Sequence, residues 1–590
     1  MTASPLEKVL IIIATIGILV APLMVAPFTV TLLNYIGIGA LVALGLVLLT
    51  GFAGLTSFGQ AALMGIGAYA TAWFTTEIGG SPWLGLLLAL GLTGIVAAIL
   101  GAVTLRLGGH FLPLSTIAWG IAIYFLFGNI PGLGHHDGIK DIPPLTLAGV
   151  SLASNSAIYY LIWTGLGASM WLIANLLDSR EGRAVRSLRG GAAMIASLGV
   201  NLFRIRLIIF VLAAILAGLA GWLYAHMNRY VSPSPFDVRP SIEYLLMAMV
   251  GGPTSIYGAV AGAAIVTLLK NFFQGFLPLL SKDAAQLEIV AFSILLILIL
   301  QHARGGLMSA FRRLMPQRPV PSPPLGTPHL RRREQPKPGT QVLSVAGATK
   351  RFDGLTAVND VSFDVRAGEI VALIGPNGAG KSTMFNLITG VLPPSAGKFT
   401  FLGHDITNWP QPKIAAAGIA RTFQHVKLRA NMTLLDNVLL GTYARTRAGF
   451  TRGALRLDRA EEAQAIFEAL RQLERFGLGE RAHDFAGSLP LGNQRMLEVA
   501  RALSADPLLI VLDEPAAGLR RAEKDALAQH LRMLKSEGVT ILIVEHDMEF
   551  VMGLVDRIVV MDFGAKLMEG LPNEVRASPV VQEAYLGGVA

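Results

Sequence analysis

The chain has 590 residues and no cysteine, which excludes a disulfide framework and thiolate chemistry. Only 15% of residues are charged against 53% hydrophobic, and the mean hydropathy is +0.56, a balance that places part of the chain in lipid rather than water. The formal charge of +9 fits Lys and Arg kept on cytoplasmic loops better than contact with nucleic acid or anionic lipid.

Apolar runs near 9–27, 29–50, 61–78, 83–105, 111–128, 157–177, 206–226, 241–270 and 286–303 are candidate membrane spans, since a crossing helix needs about 20 apolar residues. The first reads as a retained helix rather than a signal peptide, because a second apolar run follows at once. Arg180, Arg183, Arg186, Arg189, Arg204 and Arg206 cluster after the sixth run, and Arg304, Arg312 and Arg313 follow the last. Both clusters belong inside the cell, so an even number of crossings lies between them. The long run 241–270 contains "VGGPTSIYG", which predicts a segment that enters and returns, or two short helices. "GLTSFG" (Gly54–Gly59) resembles "GPTSIYG" (Gly252–Gly258), and each precedes a run of small residues. Paired interruptions of this kind mark a pathway between internal repeats. They also serve plain close packing, and the two readings are compatible. Glu243 reads as a helix-start charge and Lys270 as a snorkelling one. His135, His136 and Asp137 read as a polar loop rather than a metal site.

After residue 304 the composition changes. "VPSPPLGTPHLRRREQPKP" (320–338) is too rich in Pro and Arg to build a core and reads as a linker. Arg331, Arg332 and Arg333 read as solvated linker charge.

The remainder holds no run long enough to span a bilayer. "EIVALIGPNGAGKSTMFNLITG" (Glu369–Gly390) is an apolar strand, a glycine-rich turn and a helix start that fits G-x-x-x-x-G-K-[ST]. Gly375, Gly378 and Gly380 let the backbone wrap phosphate, with Asn377 and Thr383 in the same loop. Lys381 is placed for the β/γ-phosphates and Ser382 for Mg²⁺. "LLIVLDEP" (Leu508–Pro515) is a buried strand ending in two carboxylates. Asp513 suits the Mg²⁺ shell, and Glu514 suits orienting or deprotonating an attacking water. "TILIVEHDMEF" ends a further strand at His546, and "RTFQHVKL" supplies Gln424, which can touch both metal and water.

In that order and spacing, residues 342–590 resemble the ATPase domain of ABC transporters. "AGIARTFQHVKL", "LIVEHDMEFVMGLVDRIVVMDFG" and "VVQEAYLG" are similar, more narrowly, to an ATP-binding subunit of high-affinity branched-chain amino acid uptake systems. Residues 1–310 resemble the permease of the same systems. The carriers are "GFAGLTSFGQAALMGIGAYA", "SPSPFDVRPSIEYLLMAMVGGPTSIYGAVAGA" and the coupling-loop stretch "GRAVRSLRGGAAMIASLGVNLFRIRL" (Gly182–Leu207), which in the family docks on the ATPase. The expected architecture is therefore multidomain: an all-α polytopic membrane domain (1–310), a linker (311–340) and an α/β P-loop NTPase domain (341–590). The linker then tethers a permease to its own ATPase at an effective concentration on the order of mM.

The resemblance implies more. Phe352 would stack on adenine, His546 would contact the γ-phosphate, and ATP with Mg²⁺ held by Ser382, Gln424 and Asp513 would be hydrolysed against a partner's signature. Implied partners are a second permease and a second ATP-binding subunit on different chains, a periplasmic binding protein and membrane lipid, with no nucleic acid. The implied place is the bacterial inner membrane, with the ATPase domain cytoplasmic. Branched-chain amino acids are the leading substrates, with urea, short amides or aromatic acids as alternatives, and export or a non-transporting anchored ATPase behind them. Three stretches depart from the pattern. The signature reads "LPLGNQ" (Leu489–Gln494), so Pro490 stands where a serine would, a residue acceptable at the first helical position, and Gly492 still offers amides. Arg520 replaces a small polar or acidic residue in "AAGLRRAE", and the coupling loop reads "RGGAAM" (Arg189–Met194) where relatives often carry acidic residues.

Overall fold

The computed structural model describes residues 5–106, 111–276, 305–308 and 326–586, with a few positions between 290 and 301. The chain divides into two compact units, residues 1–178 with 203–319, and residues 179–202 with 320–590. The expected span 286–303 and the residues Arg304, Arg312 and Arg313 lie for the most part outside the described residues.

In the first unit the chain runs through α1 (Pro5–Met24), α2 (Pro27–Leu46), α3 (Gln60–Thr76), α4 (Pro82–Thr104), α5 (Phe111–Asn129) and α6 (Asn155–Leu177). It leaves for the second unit with α7 (Arg180–Ser187) and α8 (Ala192–Ala196), then returns with α9 (Leu202–Asn228), α10 (Val238–Gly251) and α11 (Ile256–Phe276). Among the described residues six helices are long and apolar enough to cross a membrane: Pro27–Phe52, Pro82–Thr104, Phe111–Asn129, Asn155–Leu177, Leu202–Asn228 and Ile256–Phe276. The second half of α2 is buried all round. By contrast α4 exposes Leu84, Leu87, Ile95, Ile99 and Val103, an apolar surface that suits lipid.

The run 241–270 is two helices, broken after Gly251 and resumed at Ile256. α2 likewise passes into a π-turn (Val47–Phe52) before α3 begins at Gln60. The two breaks meet. A Cβ on Gly51 would lie 1.4 Å from the Pro253 carbonyl oxygen, and the Ala61 amide of α3 donates to Ser241 Oγ of α10 at 3.0 Å. Close packing through small residues also operates, as α3 and α9 touch backbone to backbone at Gly67 and Gly218. Glu243 does not stand in a first turn, and Lys270 is not a lone charge. The two pair across α10 and α11 at 2.9 and 3.0 Å, because the break folds these helices against each other. His135, His136 and Asp137 form an exposed 3₁₀ turn.

The second unit is built on two sheets. One runs β12-β11-β5-β10-β9-β8, from β5 (Ile370–Ile374), β8 (Ile419–Arg421), β9 (Leu509–Asp513), β10 (Thr540–Val544), β11 (Arg557–Asp562) and β12 (Ala565–Gly570). All its pairings are parallel except that of the edge strand β12. Every residue of β5, β9 and β10 is buried, hence their unbroken apolar runs. The other sheet is antiparallel, with β3 (Gln341–Phe352) between β4 (Leu355–Arg366) and β6 (Ala396–Phe401).

Of the three linker arginines, Arg331 and Arg332 are solvated as expected. Arg333 is not: its guanidinium donates to the carbonyls of Asp506 (2.7 Å) and Ala416 (2.9 Å), a partnership that no local pattern encodes.

Gly51→Ala is expected to lower the melting temperature of the detergent-solubilised chain, through about 1–3 kcal/mol of overpacking. Gly91→Ala, whose Cβ meets nothing within 4 Å, should leave the melt unchanged.

Candidate functional site

Strands β5, β10 and β9 are neighbours in register, with Val544 opposite both Leu373 and Asp513. The loops that leave their C-terminal ends open at one edge, where parallel α/β sheets collect ligand-facing residues. After β5 the chain turns through Gly375, Gly378 and Gly380, with φ of 153°, 87° and 91°. A Cβ on Gly375 would meet the Met561 carbonyl oxygen at 2.1 Å, and one on Gly380 the Ala357 carbonyl oxygen at 2.3 Å, so both positions demand glycine. The helix Lys381–Ile388 follows directly, and its first amides form a seat for an anion. Lys381 Nζ is held over the loop by the carbonyls of Gly375 (2.8 Å) and Pro376 (2.9 Å). Burial pushes its ammonium pKa down, and the Glu514 carboxylate opposes that shift. Asn377 and Ser382 are exposed, and Thr383 is half-buried.

The expected catalytic side chains converge. Gln424 Nε2 donates to Glu514 Oε2 at 2.9 Å, and His546 Nδ1 lies 3.7 Å from the same oxygen. Glu514 holds φ +44°, a costly conformation for a non-glycine residue and one found at functional sites. Asp513 is buried, and its Oδ1 has no hydrogen-bond partner among the described residues. Burial pushes its carboxyl pKa up, with the Arg421 guanidinium opposing. An orphaned carboxylate oxygen is the kind of donor that a hard divalent cation takes. Phe352 ends β3 and is 40% exposed, with Lys350 Nζ 5.1 Å from its ring centroid.

Gly492 is buried in the first turn of the helix Leu491–Ser504, where an added Cβ would lie 2.4 Å from Glu523 Oε1. Pro490 is the extended N-cap of that helix, not its first helical residue, so it supplies no capping oxygen. Arg520 caps the helix Arg521–Ser536 through its backbone N–H, which donates to Glu523 Oε2 at 2.8 Å.

Three residues escaped the sequence reading. Arg421 sits 3.7 Å from Asp513 Oδ2 and lies over the Phe385 and Phe423 rings. Burial pushes its pKa down to about 10. Glu545, wholly buried, accepts the Ala516 amide at 2.7 Å and so ties the end of β10 to the turn after Glu514. Arg495 donates to the carbonyls of Phe423 and Gln424, which joins the signature helix to the Gln424 loop. The signal for the first two was position alone: charges at the ends of buried strands.

The segment between α6 and α9 is packed within this unit. Arg183 forks both terminal nitrogens onto the Glu462 carboxylate, the second contact at 2.9 Å. Arg186 forks onto Asp436 at 3.2 and 3.3 Å. Arg180 lies 3.6 Å over the Tyr443 ring and donates to the Tyr443 carbonyl, while Tyr443 Oη donates to Glu181. The contacts thus centre on α7 rather than on "RGGAAM" (Arg189–Met194), where Gln411 reaches the Ala193 carbonyl at 3.1 Å.

Comparison with known proteins agrees with this layout. Residues 28–300 match the family model for the permease component of the branched-chain amino acid transport system. Residues 358–517 match the ABC transporter model, and 565–590 that of the branched-chain amino acid ATP-binding cassette transporter. The high-affinity branched-chain amino acid transport ATP-binding protein LivG of Salmonella typhimurium is 43% identical over 249 residues, which are 42% of this chain and 98% of that protein. BraF of Pseudomonas aeruginosa gives the same figures. A probable LivG of Archaeoglobus fulgidus is 37% identical over 247 residues, 42% of this chain and 96% of that protein. A nucleotide-free ATP-binding cassette from an ABC transporter, known from a crystal structure, is 32% identical with a TM-score of 0.38, over 42% of this chain and all of that one. The chain belongs to the branched-chain amino acid family of ABC transporters, with permease and ATP-binding parts fused.

Glu514→Gln is expected to cut ATP hydrolysis by roughly 10²–10⁴-fold, the usual contribution of a general base, with nucleotide binding retained. Phe352→Ala should weaken ATP binding and leave the maximal rate nearly intact. A binding titration beside steady-state hydrolysis separates the two.

Proposed function

We propose that the chain imports branched-chain amino acids across the bacterial inner membrane at the expense of ATP, with the permease at 1–310, the linker at 311–340 and a cytoplasmic ATPase at 341–590. The observation that carries this reading is α7. A segment bounded by two permease helices is held inside the ATP-binding unit by two guanidinium forks. ATP chemistry and the permease helices are thereby mechanically joined.

In this reading adenine stacks on Phe352. The phosphates lie in the loop of Gly375, Asn377, Gly378 and Gly380 against the first turn of the helix that holds Lys381, Ser382 and Thr383. Glu514, steadied by Gln424, orients and deprotonates the attacking water. Lys381 balances charge on the γ-phosphate, and His546 contacts it from the end of β10. Ser382, Gln424 and Asp513 would hold Mg²⁺, with the unpartnered Asp513 Oδ1 as the donor that fits best. The ion's contribution when bound is to neutralise charge on the β- and γ-phosphate oxygens.

Gly492 faces the nucleotide of a second ATP-binding subunit, and Pro490 contributes no hydroxyl there. That subunit and a second permease are separate chains, and a periplasmic binding protein delivers the amino acid. Closure on ATP pulls on α7, and the contact between the two helix breaks at Gly51 and Pro253 marks the pathway that opens and shuts. The membrane-facing partner is lipid, and nucleic acid has no part.

The test uses the chain reconstituted in lipid vesicles with its co-purifying subunits. Binding protein loaded with leucine, isoleucine or valine should raise ATP hydrolysis severalfold, and Glu514→Gln should abolish the rise. A rise with urea- or benzoate-loaded protein and none with leucine would overturn the substrate assignment. Indifference to every loaded binding protein would overturn import.

A further inference from the structure

The linker is expected to be a tether, yet its last part is built into the ATP-binding unit. Leu330 is 5% exposed and belongs to the same apolar core as Leu434, Ala465 and Ala469. The His329 ring meets the Phe467 ring edge-on, with centroids 5.0 Å apart. The backbone amide of Arg333 donates to Asp506 Oδ2, and its guanidinium takes the carbonyls of Ala505, Asp506 and Ala416. A planar fork satisfying three carbonyls, with an apolar anchor three residues earlier, is a bound peptide rather than a passing one.

What this segment touches gives it a role. Arg445 donates to the carbonyls of Leu330 and Arg331, at 3.2 Å each. It also donates to the Ser504 carbonyl at 3.0 Å and lies 3.7 Å from Glu468. Arg445 closes the 3₁₀ turn Thr442–Arg445. The same turn carries Tyr443, whose carbonyl accepts Arg180, whose ring lies under Arg180 and whose hydroxyl donates to Glu181. Linker and α7 thus grip one four-residue turn, the first through its last side chain and the second through Tyr443. The gripping residues 329–333 lie outside every family-model match, which end at 300 and resume at 358.

We infer that residues 329–333 form a docked strap that fixes the Thr442–Arg445 turn as the receptor for α7, so that the linker positions the coupling helix as well as tethering it. Leu330 is the anchor and Arg333 a positioning residue. Without the strap, Arg445 loses two of its carbonyl partners, and the turn that holds Arg180 gains freedom. The inference depends on the proposed import only for its uptake readout.

The experiment uses the full chain in its assembled transporter. Arg333→Ala and Leu330→Ser are compared with Arg331→Ala, which alters only an exposed side chain, with Arg333→Lys, which keeps charge and loses the fork, and with wild type carrying a protease site at 320–325 and nicked there. Hydrogen exchange of the amides at 442–446 and 180–187 is read beside leucine uptake and basal ATP hydrolysis. Arg333→Ala and Leu330→Ser should speed exchange at both places by at least about tenfold and cut uptake severalfold, with basal hydrolysis kept. Arg333→Lys should fall between, and Arg331→Ala should match wild type. The nicked chain, which keeps its strap, should match wild type in exchange. Combined with Arg180→Ala, Arg333→Ala should add little further loss. Unchanged exchange at 442–446 in both strap variants overturns the inference, whatever uptake does. So does a nick that itself speeds exchange there, since the linker would then act by tension alone. If wild type takes up no leucine, the import reading fails and the exchange data still decide the strap.

Discussion

The proposed coupling rests on two ion pairs whose partners lie 279 and 250 residues apart in sequence. Arg183 and Arg186 lie on one short helix, and Glu462 and Asp436 receive them. Arg183 keeps 4% of its side chain exposed. A guanidinium this buried is tolerated only where both its forks are met, and leaving one charge without its partner costs about 3–5 kcal/mol. Such a contact adds little net stability over an apolar substitute. Its value is geometric, because a bidentate fork admits one orientation. A helix that must transmit movement benefits from that property.

The ATP chemistry depends on a different constraint, the parallel sheet. Strands β5, β10 and β9 are buried along their whole length, so apart from Thr540 at the start of β10 their polar residues gather where the strands end. The phosphate loop, Asp513 with Glu514, and Glu545 with His546 follow from that. The edge also carries strain. Glu514 holds a left-handed backbone while its side chain accepts Gln424, a cost of order 1–3 kcal/mol that the surrounding hydrogen bonds support. Glu545 is part of that support, since its buried carboxylate takes the Ala516 amide two residues beyond Glu514. Arg495 extends the network to the signature helix through the Gln424 carbonyl.

Much of the candidate site's geometry was legible because a glycine-rich turn between a strand and a helix is a local feature. The glycines at 375 and 380 face backbone carbonyls that exclude a side chain. The break at Gly252 was legible for the same reason. Pairings across distance were not. Lys270 and Glu243 look like independent helix charges until the break folds α10 onto α11. Arg333 looks like one of three equivalent linker arginines, and only the fold brings the carbonyls of Ala416 and Asp506 to it. The partners of α7 were beyond reach, because nothing in "REGRAVRS" names Glu462 or Asp436. Pro490 was read one position too far into its helix, since a proline is acceptable both at the cap and just after it.

A charge exchange tests most directly whether the Arg183 fork couples ATP hydrolysis to import. The quantity to measure is leucine transported per ATP hydrolysed, in vesicles, for Arg183→Glu, for Glu462→Arg and for both together. Each single reversal should collapse the ratio while basal hydrolysis persists, and the double exchange should recover a substantial part of it. A ratio that stays at the wild-type value in the single variants would contradict the account and place coupling elsewhere.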